Sequence, residues 1–214
     1  LPFAPDLTRR VLTYLAGQQA AETDPATLAE PGKIPHEHRH GDLPAVGRSI
    51  RTPYYGSVDA TPLFAALVGA YGEWVGVDAV PDDIYEAALA AAEWTVDAAD
   101  DGLLWYEPHD HDHGLAHLGW KDSDRAVPHP DGTAATPPIA LAEVQGYAYR
   151  ALRAVAELAG DRGDTDRAER YEARADEVRE AFDDAFWLPA EDCYALALDA
   201  AGVVETGASN QAHA

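Results

Sequence analysis

The chain has 214 residues, 47% of them apolar, enough to bury the core of one large domain. Its formal net charge of −23, spread along the chain with only Lys33 and Lys121 as lysines, repels phosphate backbones and anionic lipid, so neither nucleic acid nor membrane is expected as a partner. A single cysteine, Cys193, excludes an internal disulfide, and no stretch nears the ~18 unbroken apolar residues of a membrane span.

Residues 6–21 carry the first helical pattern, through Leu7, Val11, Tyr14 or Leu15, and Gln18. No long periodic run follows over 22–60. Ile34, Tyr54, Tyr55 and Val58 predict an ordered loop there, not a linker. Thr61-Pro62 predicts a helix start, with Thr61 as N-cap and the proline at the first helical position. Phe64, Leu67, Val68, Tyr71, Trp74 and Val75 mark the buried face of that helix, which stops near Gly76. Pro81, with Asp82 and Asp83 at the positive end, opens a third helix running to Asp100-Asp101-Gly102. A second long loop spans 101–137. One helix is then expected from Pro138 to Gly160, and another from Asp164 to about Trp187, stopped by Pro189. Residues 194–205 alternate around an Ala-Gly turn and predict a short β-hairpin.

Long connections therefore alternate with short ones. Helical hairpins arranged in a ring put all their long loops at one end, where a pocket forms. The expected fold class is all-α, an (α/α) toroid, with the five helices making only part of a twelve-helix ring. No methionine is present, no signal-peptide pattern opens the chain, and it stops inside the run S-N-Q-A-H-A. These features read as a piece of a longer protein, cut at both ends. The dispersed acidic excess suits a cytosol of high salt, and the expected location is cytoplasmic.

Candidate chemistry lies on the long loops. Cleavage of a glycosidic bond needs one carboxylic acid to protonate the leaving oxygen and a second carboxylate across the sugar. In G-L-A-H-L-G-W-K-D-S-D-R, Asp122 is a candidate acid and Trp120 a shield and stacking face, while Lys121 and Arg125 would oppose protonation if they lay close. The plain alternative is that Asp122-Ser123-Asp124 makes a turn or cap. H-E-H-R-H at 36–40 and H-D-H-D-H at 109–113, with His117, supply metal-ligand types at a spacing that equally describes a polar loop rim. Tyr54, Tyr55 and Asp59 could form a sugar-binding edge, or Asp59 could cap the helix while the tyrosines pack. Glu143 and Gln145 in E-V-Q-G-Y could line a pocket, or Glu143 could be a solvated surface acid.

Five runs in this order, G-K-I-P-H-E-H-R, Y-Y-G-S-V-D-A-T-P-L-F, G-L-A-H-L-G-W-K-D-S, E-V-Q-G-Y and S-N-Q-A-H-A, resemble the bacterial and archaeal glycogen-debranching-enzyme-like proteins related to amylo-α-1,6-glucosidase. That resemblance implies an (α/α)6 barrel of the six-hairpin glycosidase type, with residues 1–214 as part of its catalytic domain. It implies inverting hydrolysis of α-glucosidic bonds, no cofactor and no metal, and a carbohydrate partner, an α-glucan or oligosaccharide. Asp122 is implied as general acid, and Glu37, Arg39, Tyr55, Asp59, Trp120, Lys121, Glu143 and Gln145 as sugar-binding. The general base is expected beyond this chain or, failing that, at Glu143 or Glu37. A partial ring would need the remainder of the domain, or a second copy, to cover its apolar faces. Three rival readings stand beside this one: a non-catalytic carbohydrate-binding or assembly protein, a metal-dependent protein using the histidine runs, and a toroidal sugar lyase or epimerase.

Overall fold

The structure is a computed structural model that describes residues 3–39, 52–108, 115–121, 123 and 125–213. Among these are five α-helices: α1 (Pro5–Ala16), α2 (Ala60–Val75), α3 (Asp82–Ala98), α4 (Ala142–Asp161) and α5 (Thr165–Phe186). None of them is long and apolar enough to cross a membrane.

In α1 the proline sits in the first turn, where its missing N–H costs nothing, and Asp6 faces the positive helix end. The helix stops at Ala16, short of the expected residue 21. The chain turns away there because the Gln19 amide donates to the Gly32 and Ala87 carbonyls, and Ala20 N–H donates to the Lys33 carbonyl. Gly32 is required at that crossing: its φ is +91°, and a Cβ would lie 2.4 Å from the Ala90 carbonyl oxygen.

Thr61 does not cap α2. It lies inside the first turn, fully buried, and its Oγ1 accepts the Ile34 N–H at 3.0 Å. The hydroxyl thus pins the preceding loop to the helix instead of closing the helix end. Gly76, at φ +92°, terminates α2 as expected. Trp74, read as core, is exposed on the described surface. The starts of α3 at Asp82 and of α5 after Asp164 follow the sequence reading, and Asp164 proves to cap α5, its Oδ1 accepting Arg167 N–H.

The helix expected from Pro138 begins four residues later. Ile139 exchanges both backbone bonds with Tyr106 (2.9 Å each), and β1 (Ala140–Leu141) pairs antiparallel with β4 (Ala197–Asp199). A backbone committed to sheet bonds cannot also turn into a helix. The predicted hairpin is β4 with β5 (Gly202–Val204), so β1 makes it a three-stranded sheet in the order β1-β4-β5. A second small hairpin, β2 (Trp187–Leu188) with β3 (Cys193–Tyr194), follows α5.

Twelve of the twenty α4 residues are buried, so α4 is the central helix. It packs against α2 closely enough that a Cβ on Gly69 would lie 2.4 Å from that of Ala154, while Gly72 meets Leu158. The two helices run parallel, as these pairs require. Short turns reverse the chain from α2 into α3 and from α4 into α5, whereas both long connections arrive at the starting ends of α2 and α4.

Candidate functional site

Two carboxylates mark that end. Asp59 immediately precedes α2 and Glu143 lies in the first turn of α4, 2% and 1% exposed respectively. The Asp59 side chain does not cap its helix, and Asp59 Oδ2 and Glu143 Oε2 accept no hydrogen bond among the described residues; neither does buried Ser57 Oγ. Leaving a buried carboxylate oxygen empty is expensive unless something else uses it.

The other oxygen of Glu143 is occupied. Asn210, in a short 3-10 turn (Ser209–His213), donates Nδ2 to Glu143 Oε1, and its Oδ1 accepts from the Lys121 ammonium. Burial raises the Glu143 carboxyl above its ordinary value, the Asn210 bond and the Lys121 charge oppose that rise, and the Asp59 charge adds to it. Tyr106 and Tyr147 line the same cluster. Burial first, then the Glu143 charge, lifts both phenols, so each keeps its proton as a donor. Tyr106 Oη is hydrogen-bonded to His117 Nδ1 at 2.9 Å, and Tyr147 Oη to His213 Nδ1 at 2.8 Å.

The loop of 115–121 is clipped to this cluster by Val58 N–H donating to the Leu118 carbonyl at 2.8 Å. At its end Trp120 is 48% exposed, with the Lys121 ammonium 5.1 Å from the ring centre. A cleft of about 450 Å3 opens beside it, lined by Lys121, Ser123, Arg125, Pro128 and Thr206. Asp122 lies outside the described residues.

The fold thus brings Lys121 and Asp59 within reach of the Glu143 charge, with Trp120 beside Lys121. The others make bonds of their own. Glu37 and Arg39 form their own ion pair (2.7 Å) on a segment bridged to Tyr54. Tyr55 is buried, its hydroxyl donating to the Gln18 carbonyl at 2.6 Å, so it fastens α1 to the loop. Gln145 is committed to backbone: its amide accepts Leu104 N–H and donates to the Leu104 and Leu141 carbonyls. These two side chains hold the loops in place through bonds to the backbone. Of the histidine runs, His40, His109, His111 and His113 lie outside the described residues, and among those described no group of three ligand types is placed to hold a metal.

Asn210, Tyr106, Tyr147 and His213 carried no site reading in the sequence, and His117 was read only as a metal-ligand type. Tyr147 did carry a signal, since it lies one helical turn beyond Glu143 on the same face. For Asn210 the only signal was its place in S-N-Q-A-H-A.

Long loops reaching the parallel starts of α2 and α4 fit part of a helical toroid. A solved structure shares this fold: a GH78 family rhamnosidase of Bacillus sp. GL1, at TM-score 0.59 and 18% identity, over 92% of this chain and 17% of that one. No curated protein sequence matches. Residues 33–206 match the amylo-alpha-1,6-glucosidase family, and the chain belongs to it. The chain spans about a sixth of the length of the solved rhamnosidase.

Proposed function

We propose that this chain forms part of an (α/α)6 catalytic domain that hydrolyses α-glucosidic bonds of an α-glucan or oligosaccharide, with inversion. The observation that carries this reading is the pair of buried carboxylates, Asp59 and Glu143, each with one oxygen unpartnered among the described residues, at the starts of two parallel helices. Such oxygens accept from vicinal sugar hydroxyls, and Trp120 offers a face for the apolar side of the ring. Asp122, two residues beyond Trp120, protonates the leaving glycosidic oxygen, and water attacks the anomeric carbon from the opposite side. Lys121, whose charge would oppose protonation of a nearby acid, donates to Asn210 and lies against the Trp120 ring. The base activating the water lies outside this chain. Glu143 and Glu37 are the lesser candidates, the one bonded to Asn210 and the other paired with Arg39.

Further helices of the domain cover the apolar residues left open on α1, Leu7, Val11 and Tyr14, and Phe3 just before it. In the protein that carries this chain, Asp122→Asn should cut release of glucose from α-glucosides to a few per cent or less. Turnover near wild type would sink the assignment.

A second reading has its own support, since the same oxygens suit sugar binding without turnover. Glucose or maltose binding with no hydrolysis across a panel of α-glucosides would favour it.

A further inference from the structure

Asn210 is 2% exposed and stands between a cation and an anion. Its Oδ1 faces the Lys121 ammonium, which only donates, and its Nδ2 faces the Glu143 carboxylate, which only accepts. The opposite amide orientation would set NH2 against NH3+ and O against O−, so the two charges dictate the orientation. A second bond locks the turn. Glu143 and Tyr147 lie one turn apart on α4, Asn210 and His213 lie one turn apart on the 3-10 segment, and each pair meets the other.

We infer that Asn210 is the positioning residue of this site: its amide ties Lys121 to Glu143, occupies Glu143 Oε1, and leaves Oε2 as the oxygen that meets a ligand or takes a proton. A neutral bridge accomplishes what a direct Lys121–Glu143 ion pair would not. It orients both groups without consuming the carboxylate. The inference rests on the reading of this cluster as the sugar-facing end of the site. Among the described residues, the groups facing Glu143 are Asp59 just before α2, Tyr106 and Lys121 from the long loop, and Tyr147 along α4, with His117 and His213 behind the tyrosines.

The test is a carboxyl-carbon NMR titration of the whole protein, with the Glu143 signal assigned by its loss in Glu143→Gln. Asn210→Leu removes the bridge, and Asn210→Asp replaces the donor by a like charge. Both should raise the proton affinity of Glu143 about tenfold or more. If either variant fails to fold, Asn210→Ser and Lys121→Gln should move the titration in the same direction. A titration unchanged in folded variants that lose only melting temperature would reduce Asn210 to a packing residue and overturn the inference. Because the readout needs no turnover, inactivity toward α-glucosides would count against the glycosidase reading alone. An unmoved Glu143 in an active enzyme would count against this one alone.

Discussion

Replacing Glu143 by glutamine should make the fold more stable at neutral pH while weakening any sugar binding. The carboxylate is buried with Oε2 unpartnered among the described residues, a situation costing about 1–3 kcal/mol. Glutamine keeps the Oε1 acceptor for Asn210 but gives up the charge-assisted part of that bond, a loss of about 1 kcal/mol, and puts a neutral NH2 where the charged Oε2 stood, so the gain is the difference between burying an unmet charge and burying an unmet amide. The net gain is about 1 kcal/mol, or roughly 2–4 °C in melting temperature for a cooperative unit of this size. Its pH dependence has a definite sign. Burial raises the Glu143 carboxyl, so the folded state holds that proton more tightly than the unfolded chain does. Stability therefore falls as pH rises from the ordinary glutamate value through the raised folded value, and stays low above it. Thermal melts of both proteins should differ most at about pH 8 and converge near about pH 4. A variant less stable than wild type at the higher pH, or a difference that does not vary with pH, would refute the argument that an unmet buried charge resides there.

Gly69→Val should lower stability by about 1–3 kcal/mol in urea unfolding, because the new Cβ meets Ala154 at 2.4 Å, and Ala154→Gly should recover part of the loss. Asp199 tests the sheet end: burial works to raise its carboxyl, but the Thr136 N–H, His129, and the Ala201 and Gly202 N–H groups together hold it below its usual value. Its contribution is in place above the ordinary aspartate range and is lost as pH falls through the depressed folded value. Asp199→Asn should therefore cost about 1.5–3 kcal/mol at neutral pH, with the deficit vanishing in acid melts. With a net charge of −23, the protein should melt at higher temperature as KCl rises from about 0.1 M to about 2 M; a maximum at the low end would contradict the salt reading.

The helices were legible because their signals are local. Apolar spacing, Pro81, Gly76 and Asp164 each act within a turn of where they stand. Where the reading slipped, a distant partner had intervened. Thr61 looks like a cap until Ile34 uses its hydroxyl, and Pro138 looks like a helix start until Tyr106 and β4 claim the next three residues as extended chain. Gln145 and Tyr55 belong to polar, motif-rich runs, yet their hydrogen bonds turn inward to the backbone. Sequence spacing says nothing about which way a polar group at a helix end will face.

By itself the sequence determined the helical hairpins, the alternation of long and short connections, and the family to which the chain belongs, since all are written in contiguous runs. Only the tertiary structure decided that Glu143 feels the charge of Asp59, because they stand at the starts of two helices that become neighbours through glycine-lined packing with α3 between them in the chain. It alone decided that Asn210, 67 residues from Glu143, sits between that carboxylate and Lys121. Hydrogen bonds and charges act over a few ångströms in space, and the chain must be folded before such distances exist.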